Sequence, residues 1–285
     1  MDEFPGYEPT FGCDGINPGS GKDMILGSAG DDVFELHDGF EDVQLVELAD
    51  RGNDTLDLTN VSAPLEVTLG SIRVDDGLGH TATHLEGNIE NIVGSAAADR
   101  FVFTEGSEIT GTLTGGGGSD TLDYSSWTSP VQVNLSEGSA AAVGGGAAGA
   151  VSEVENVIAG AAGDVLTGDD GDNVLVGGAG DDEIHGLGGD DRLEGNDGKD
   201  RLYGDDGDDR LLGGAGIDQF TGGAGADTAD YSRAPGAIRA MLWRELTWND
   251  GTGSYDRLLS MENVTGSGFG DRIDGDDGPN VLIGG

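Results

Sequence analysis

A single cysteine, Cys13, stands in 285 residues, so no disulfide framework holds this chain, and stability outside a cell must have another source. Basic residues are also scarce: 13 lysines and arginines face 55 aspartates and glutamates, a formal net charge of −42. Affinity for nucleic acid rests on Lys and Arg contacts to phosphate, and adsorption to an anionic membrane needs the same sign of charge. Both partners are therefore disfavoured. No apolar run is long enough to cross a bilayer as a transmembrane segment. Met1 to Gly12 lack the basic start and apolar run of a secretory signal peptide. Aromatic residues make up only 6% of the chain.

Glycine and acid are what the chain has in excess, with 55 residues of each kind. So much negative charge repels itself in any compact state without counterions, so divalent cations, Ca²⁺ or Mg²⁺, are the expected partners. The same composition would suit an acidic disordered chain. Regularly placed Leu, Ile, Val and Phe argue instead for a thin core.

From Ala159 to Asp230 the sequence divides into eight blocks of nine without an insertion: AGAAGDVLT, GDDGDNVLV, GGAGDDEIH, GLGGDDRLE, GNDGKDRLY, GDDGDDRLL, GGAGIDQFT and GGAGADTAD. The sixth place holds Asp164, Asn173, Asp182, Asp191, Asp200, Asp209, Asp218 and Asp227. The eighth holds Leu166, Leu175, Ile184, Leu193, Leu202, Leu211, Phe220 and Ala229, and is the core-facing place. The grammar recurs as pairs at both ends, PGSGKDMIL and GSAGDDVFE with Asp23 and Asp32, then GSGFGDRID and GDDGPNVLI with Asp271 and Asn280. Isolated copies carry Asp99 with Phe101 and Asp120 with Leu122.

A longer repeat overlies the short one. Asp54–Asp57, Asp120–Asp123 and Asp227–Asp230 each open a segment that closes on Glu90-Asn91-Ile92, Glu155-Asn156-Val157 or Glu262-Asn263-Val264. Within each runs a strand-like alternation: Leu65, Val67, Leu69; Val131, Val133, Leu135; Ile238, Ala240, Leu242. The expected organisation is an N-terminal segment (1–17), a short β-roll block (18–49), an insert with a partial repeat (50–114), a partial repeat with an insert (115–158), the main array (159–230), an insert or cap (231–265) and C-terminal repeats (266–285) that stop at the opening of another block. The Ala- and Gly-rich stretch from Gly138 to Gly149 reads as a mobile loop and a site for proteolytic nicking.

Glycines at the first, second and fourth places permit backbone angles closed to other residues, so each block is expected to turn tightly with its carbonyls to one side. Carbonyl and carboxylate oxygens are hard ligands, suited to Ca²⁺ with its six to eight oxygen neighbours. The last three residues form a short strand whose period of two turns the eighth residue inward.

The blocks resemble the RTX (repeats-in-toxin, hemolysin-type) calcium-binding nonapeptide repeat, GGxGxDxUx, best in Gly177-Gly178-Ala179-Gly180-Asp181-Asp182-Glu183-Ile184-His185. Nonapeptide repeats of that family build a Ca²⁺-binding parallel β-helix. The resemblance implies an all-β, right-handed parallel β-roll with β-rich inserts, in which two blocks make one coil and each block stacks on the block eighteen residues later. It further implies several Ca²⁺ ions between turns, held by backbone oxygens of turn residues and by paired sixth-place carboxylates. Asp182 would pair with Asp200 and Asp218, and Asp191 with Asp209 and Asp227, for about five or six sites. The ligand set so implied is Asp164, Asn173, Asp182, Asp191, Asp200, Asp209, Asp218 and Asp227, with Asp23, Asp32, Asp120 and Asp271 outside the array. Turn glycines Gly178, Gly180, Gly189, Gly195, Gly198, Gly204, Gly207, Gly213, Gly214, Gly216 and Gly222 complete it. Asn173, Asn280 and Ala162 depart from the pattern and would weaken their sites. Asp169, Asp170, Asp205 and Asp206 read equally well as solvated surface charge.

By resemblance the chain is a secreted bacterial module, exported by type I machinery and folding on Ca²⁺, with no reaction of its own. Two other readings are an adhesin or surface segment with a glycan or protein partner, and the non-catalytic C-terminal region of a secreted protease, lipase or polysaccharide-modifying enzyme. Other constellations are weak. His80 and His84 have zincin-like spacing, but Thr81 stands where that motif needs Glu. Gly19-Ser20-Gly21-Lys22-Asp23 falls short of a phosphate loop, because Ile16 and Asp23 replace required residues. Cys13 has no histidine near it, and no GxSxG elbow occurs. Trp243 and Trp248, with Leu242 and Leu246, form the most aromatic-rich patch of the chain; they are expected to pack as core over the edge of the roll, the alternative being a surface that binds a partner or glycan.

Overall fold

The computed structural model describes residues 15–16, 22–27, 30–47, 52–86 and 89–285. These residues are almost wholly strand and turn, with 3-10 turns at Gly144–Gly146 and Leu242–Arg244. The chain falls into two compact units, one of residues 1–102, 106–120 and 142–154, the other of 103–105, 121–141 and 155–285.

In the second unit each block lays down one strand, and successive blocks alternate between two parallel stacks. Val165–Thr167, Glu183–Gly188, Arg201–Asp206 and Gln219–Ala224 form one stack. Val174–Ala179, Arg192–Gly198, Arg210–Gly216 and Thr228–Asp230 form the other. Registers run Leu166, Ile184, Leu202, Phe220 along the first and Leu175, Leu193, Leu211, Ala229 along the second, a step of two blocks per coil. All eight of these side chains are fully buried. The chain is an all-β parallel β-roll.

The first unit uses the same stacking with wider steps. Val33–His37, Thr55–Asn60, Asn91–Val93, Leu113–Thr114 and Val151–Ser152 stack in parallel. Extra chain between them is taken up by antiparallel meanders, such as Glu66–Leu69, Arg73–Asp75 and Thr81–Glu86. Leu65, Val67 and Leu69 point inward, as their alternation requires. In the second unit the third insert is a meander of Arg239–Met241, Leu246–Asn249 and Asp256–Leu259. Its last strand rejoins the array in parallel, with Leu258 beside Phe220.

Three expectations need correction. Trp243 and Trp248 are not core: they are 56% and 57% exposed, because the chain enters a 3-10 turn at Leu242 that buries Leu242 and leaves Trp243 outside, and the next strand turns Thr247 inward and Trp248 outward. The stretch from Gly138 to Gly149 is not a free loop. Ser139–Ala140 pairs with Gln132–Asn134, Val143 bridges to Ile109, and Ala140 and Val143 are buried. At Gly144 the small residue allows close approach, since a Cβ there would lie 3.0 Å from the Gly111 carbonyl oxygen, whereas Gly145, Gly146 and Gly149 are exposed with open space around them.

The third correction concerns glycine. Positive φ occurs at the second and fourth places, as at Gly178 (106°), Gly180 (126°), Gly189 (99°), Gly198 (155°), Gly207 (143°), Gly214 (100°) and Gly216 (153°). The second place adopts it even as Leu187, Asn196 and Asp205. First-place glycines are absent from this set. They are required by space: a Cβ on Gly195 would lie 2.7 Å from Asp200 Cγ. Gly204, Gly213 and Gly222 are held in the same way against Asp209, Asp218 and Asp227. Gly195→Ala is therefore expected to destabilise the folded chain by about 1–3 kcal/mol through overpacking. Gly268→Ala, where a Cβ meets nothing within 4 Å, should change stability by less than about 0.5 kcal/mol. Thermal unfolding in Ca²⁺ compares the two.

Candidate metal centre

The sixth-place residue sits at the end of each turn, one residue before its strand, and there its carboxylate is shared between coils. Asp182 Oδ1 accepts the backbone N–H of Asp164 at 2.7 Å, Asp200 Oδ1 that of Asp182 at 3.0 Å, and Asp218 Oδ1 that of Asp200 at 2.9 Å. On the other stack Asp191 accepts from Asn173 at 2.8 Å, Asp209 from Asp191 at 2.8 Å, and Asp227 from Asp209 at 2.9 Å. Two ladders of side chain to main chain thus run along the roll.

Each rung uses one oxygen and leaves the other. Among the described residues the Oδ2 atoms of Asp182, Asp191, Asp200, Asp209, Asp218 and Asp227 are buried and have no hydrogen-bond donor. Burial pushes Asp191, Asp200 and Asp218 up to about 7 and Asp182 and Asp227 up to about 6, and it also raises Asp209. The main-chain rung opposes the shift in every case, and neighbouring aspartates of the same ladder add to it for all but Asp209. Stacked strands lie ~4.8 Å apart, so two ionised neighbours in a column repel by about 3 kcal/mol at an effective dielectric of 20.

An unsatisfied buried carboxylate oxygen calls for a proton or a cation. No cluster of three His, Cys, Asp or Glu side chains occurs among the described residues, so a cation here would draw most of its ligands from the backbone. Backbone oxygens are at hand. A methyl group on second-place Gly178, Gly214 or Gly223 would overlap the carbonyl oxygen of Gly160, Asn196 or Asp205 in the preceding coil. One on fourth-place Gly198, Gly207 or Gly216 would overlap that of Gly180, Gly189 or Gly198. All-oxygen surroundings, two carboxylates per gap and close-packed carbonyls fit Ca²⁺ and not a soft metal.

The remaining sequence-identified residues are placed differently. Asp164 accepts Val131 N–H at 2.7 Å and Gly160 N–H at 3.1 Å, so both oxygens are used. Asp271 likewise accepts from Ile238 at 2.8 Å and from Ser267 at 2.7 Å. Asn173 accepts from Asp169 and donates to Glu155 O at 2.9 Å, closing its ladder with a neutral amide. In the first unit buried Asp32 donates its N–H to Asp54 at 2.8 Å, and Asp120 accepts from Asp99 at 2.7 Å. Asp23 lies in Lys22–Gly27, where the pairing with Glu41–Glu47 slips register between Lys22 and Met24.

Several working residues are silent in the block pattern. Asp256 continues one ladder, accepting Asp218 N–H at 3.0 Å, while its other oxygen takes the hydroxyl of Tyr231 at 2.9 Å; burial pushes it up to about 7. Glu262 continues the other, accepting Asp227 N–H at 2.9 Å. The signal for Asp256 is its own tetrad, Asp256-Arg257-Leu258-Leu259, which repeats Asp209-Arg210-Leu211-Leu212. Fifth-place aspartates build a second, exposed ladder in the reverse direction. Asp172 accepts from Asp190 at 2.8 Å, Asp190 from Asp208 at 2.9 Å, and Asp181 from Lys199 at 3.0 Å.

The other motifs acquire no catalytic geometry. His80 Nδ1 meets Asp76 Oδ2 at 2.6 Å, and the strand Thr81–Glu86 carries His84. Cys13 and Gly19 to Gly21 lie outside the described residues.

No curated protein matches the chain. The family model of the RTX calcium-binding nonapeptide repeat (4 copies) matches residues 18–39, 112–126, 158–193, 185–220 and 194–229. The last three overlap to cover the array that holds Asp182, Asp191, Asp200, Asp209, Asp218 and Asp227. The RTX calcium-binding nonapeptide repeat is thus detected in this chain, and its longest continuous match, residues 158–229, is the stretch that builds the two parallel stacks of the second unit.

Proposed function

We propose that the chain is a non-catalytic Ca²⁺-binding module of a secreted protein, whose roll folds when Ca²⁺ enters between its coils. The observation that carries this reading is the row of six buried carboxylate oxygens with no donor. RTX repeats bind calcium, and proteins that carry them are typically secreted. In the gaps Asp182/Asp200, Asp200/Asp218, Asp191/Asp209 and Asp209/Asp227 both carboxylates present such an oxygen, so these four gaps are assigned the strongest sites. The flanking gaps Asp164/Asp182 and Asn173/Asp191 have one each and are assigned weaker ones.

At free Ca²⁺ tenfold above its dissociation constant, one site adds about 1.4 kcal/mol, and four add about 6 kcal/mol. That is comparable with the whole stability of an ordinary domain. Such linkage suits type I export, in which the chain would cross unfolded in low calcium and order outside. Circular dichroism is expected to gain β-signal on going from EGTA to millimolar Ca²⁺; an unchanged spectrum contradicts the reading. Replacing Asp200 and Asp209 together by Ala disrupts all four strong gaps, and calorimetry should show at least half of the bound Ca²⁺ lost.

The pH dependence follows from the raised carboxylates. A group whose folded value lies above its unfolded value binds more protons when folded, so it stabilises below the unfolded value and loses that contribution as pH rises through the folded one. For these aspartates the window runs from about 4 to about 7. In EGTA the chain is thus expected to hold more β-structure at pH 5 than at pH 8. Apparent Ca²⁺ affinity should fall as pH drops through 7, because protons and Ca²⁺ compete for the same oxygens. A Ca²⁺-free chain equally folded at both pH values contradicts this.

A further inference from the structure

Of the three tryptophans only Trp127 is tied down, its Nε1 donating to Phe103 O at 3.0 Å and its ring edge-on to Tyr124. Trp243 and Trp248 stand out from the third insert and line one open cleft of about 290 Å³ with Arg239, Met241, Arg244, Arg272 and Asp274. Indoles left in water forgo a large apolar gain, and an exposed aromatic pair on one face marks a surface with a partner.

The cations beside them make the same point independently. Elsewhere arginines are spent on carboxylates: Arg73 on Asp75, Arg201 on Glu183, Arg210 on Asp230 and Arg233 on Glu194. Acids outnumber bases by 55 to 13, yet among the described residues Arg239, Arg244 and Arg257 have no carboxylate partner. Arg244 instead lies over the Trp243 ring, 4.5 Å from its centroid. Arg257 pairs across the strands with Leu246, two residues before Trp248, so by strand alternation it shares the outward face of Trp248. Arg239 pairs with Arg272, whose Nε donates to Asp274 at 3.1 Å. Exposed acids close by in sequence are Glu245 on the insert and Asp276 and Asp277 beyond Arg272. Three guanidiniums without a carboxylate partner and two indoles thus stand on one insert of a strongly acidic chain, with the Arg272–Asp274 pair of the following repeat beside them.

We propose that this face binds a carboxylated polysaccharide, with the indoles stacked on sugar C–H faces and the guanidiniums paired with uronate carboxylates. Planar guanidinium matches carboxylate in a two-point bond, and an indole offers a broad, rigid face to a ring that is apolar above and polar at its rim. Nucleic acid fits less well. It carries a charge at every nucleotide and needs a basic groove that follows the strand, whereas here the basic residues end with the insert. Trp243 and Trp248 are the readers of the sugar ring, and Arg239, Arg244 and Arg257 select for charge.

The test uses the full Ca²⁺-loaded chain at buffered free Ca²⁺, with a galacturonate hexasaccharide and its methyl ester as probes, followed by tryptophan fluorescence and calorimetry. The acid is expected to bind at least about tenfold more tightly than the ester, about 1.4 kcal/mol. Trp248→Ala and Arg239→Ala should each weaken it about fivefold or more, with circular dichroism and Ca²⁺ titration unchanged. Should Trp248→Ala disturb folding, Arg244→Gln on the exposed turn takes its place. Equal binding of acid and ester, no binding of either, insensitivity to these substitutions, or tighter binding of oligothymidylate, polyglutamate or anionic vesicles would overturn the proposal. Failure of Ca²⁺-dependent folding would show in the circular dichroism itself, apart from any result with sugar.

Discussion

A buried carboxylate that spends one oxygen on the next coil and has nothing for the other sets the terms for this molecule. Oδ1 of each of the six aspartates from Asp182 to Asp227 holds a main-chain N–H two blocks earlier, which fixes the side chain inside the turn and carries Oδ2 in with it. First-place glycine follows from this, since Gly195 and its counterparts leave the room that the carboxylate fills. Within the array the core cannot compensate for the repulsion that results, because it holds little more than one buried apolar side chain per block. Order in the roll therefore depends on what neutralises those oxygens.

The inserts respect the same constraint. Where a meander interrupts the nine-residue step, an acid returns to the ladder from further along the chain: Asp256 below Asp218, Glu262 below Asp227, and Glu90 below Asp54. The Asn that follows each Glu of the closing motif then accepts the N–H of a residue at or just before the start of a strand in the following coil. Asn91 takes Thr112, Asn156 takes Val174, and Asn263 takes Val281. The Glu-Asn-Ile/Val signature is thus a splice that resumes stacking after extra chain. Tyr231 marks one end of the charged column, giving its hydroxyl to Asp256 so that this carboxylate has both oxygens partnered.

Much of this was legible in the residues. The period of nine placed Leu166 through Ala229 in the core and Asp182 through Asp227 in two columns eighteen residues apart, because side chains that meet the same neighbours every coil recur in phase. What was not legible depends on neighbours distant in sequence. Nothing local tells a first-place glycine needed for space from a fourth-place glycine needed for its angle. Fifth-place aspartates look like surface charge until stacking brings Asp190 onto Asp172. Trp243 and Trp248 read as core from composition alone, since the 3-10 turn that swings Trp243 outward and the strand register that turns Thr247 inward and Trp248 outward are both set by the meander.

Anomalous diffraction from crystals grown with a lanthanide in place of Ca²⁺ tests the central claim most directly, because it locates ions without reference to folding. Peaks in two columns, between Asp182, Asp200 and Asp218 and between Asp191, Asp209 and Asp227, are the expected result. Peaks confined to the exposed row of Asp172, Asp190 and Asp208, or none within the turns of a folded roll, would contradict it.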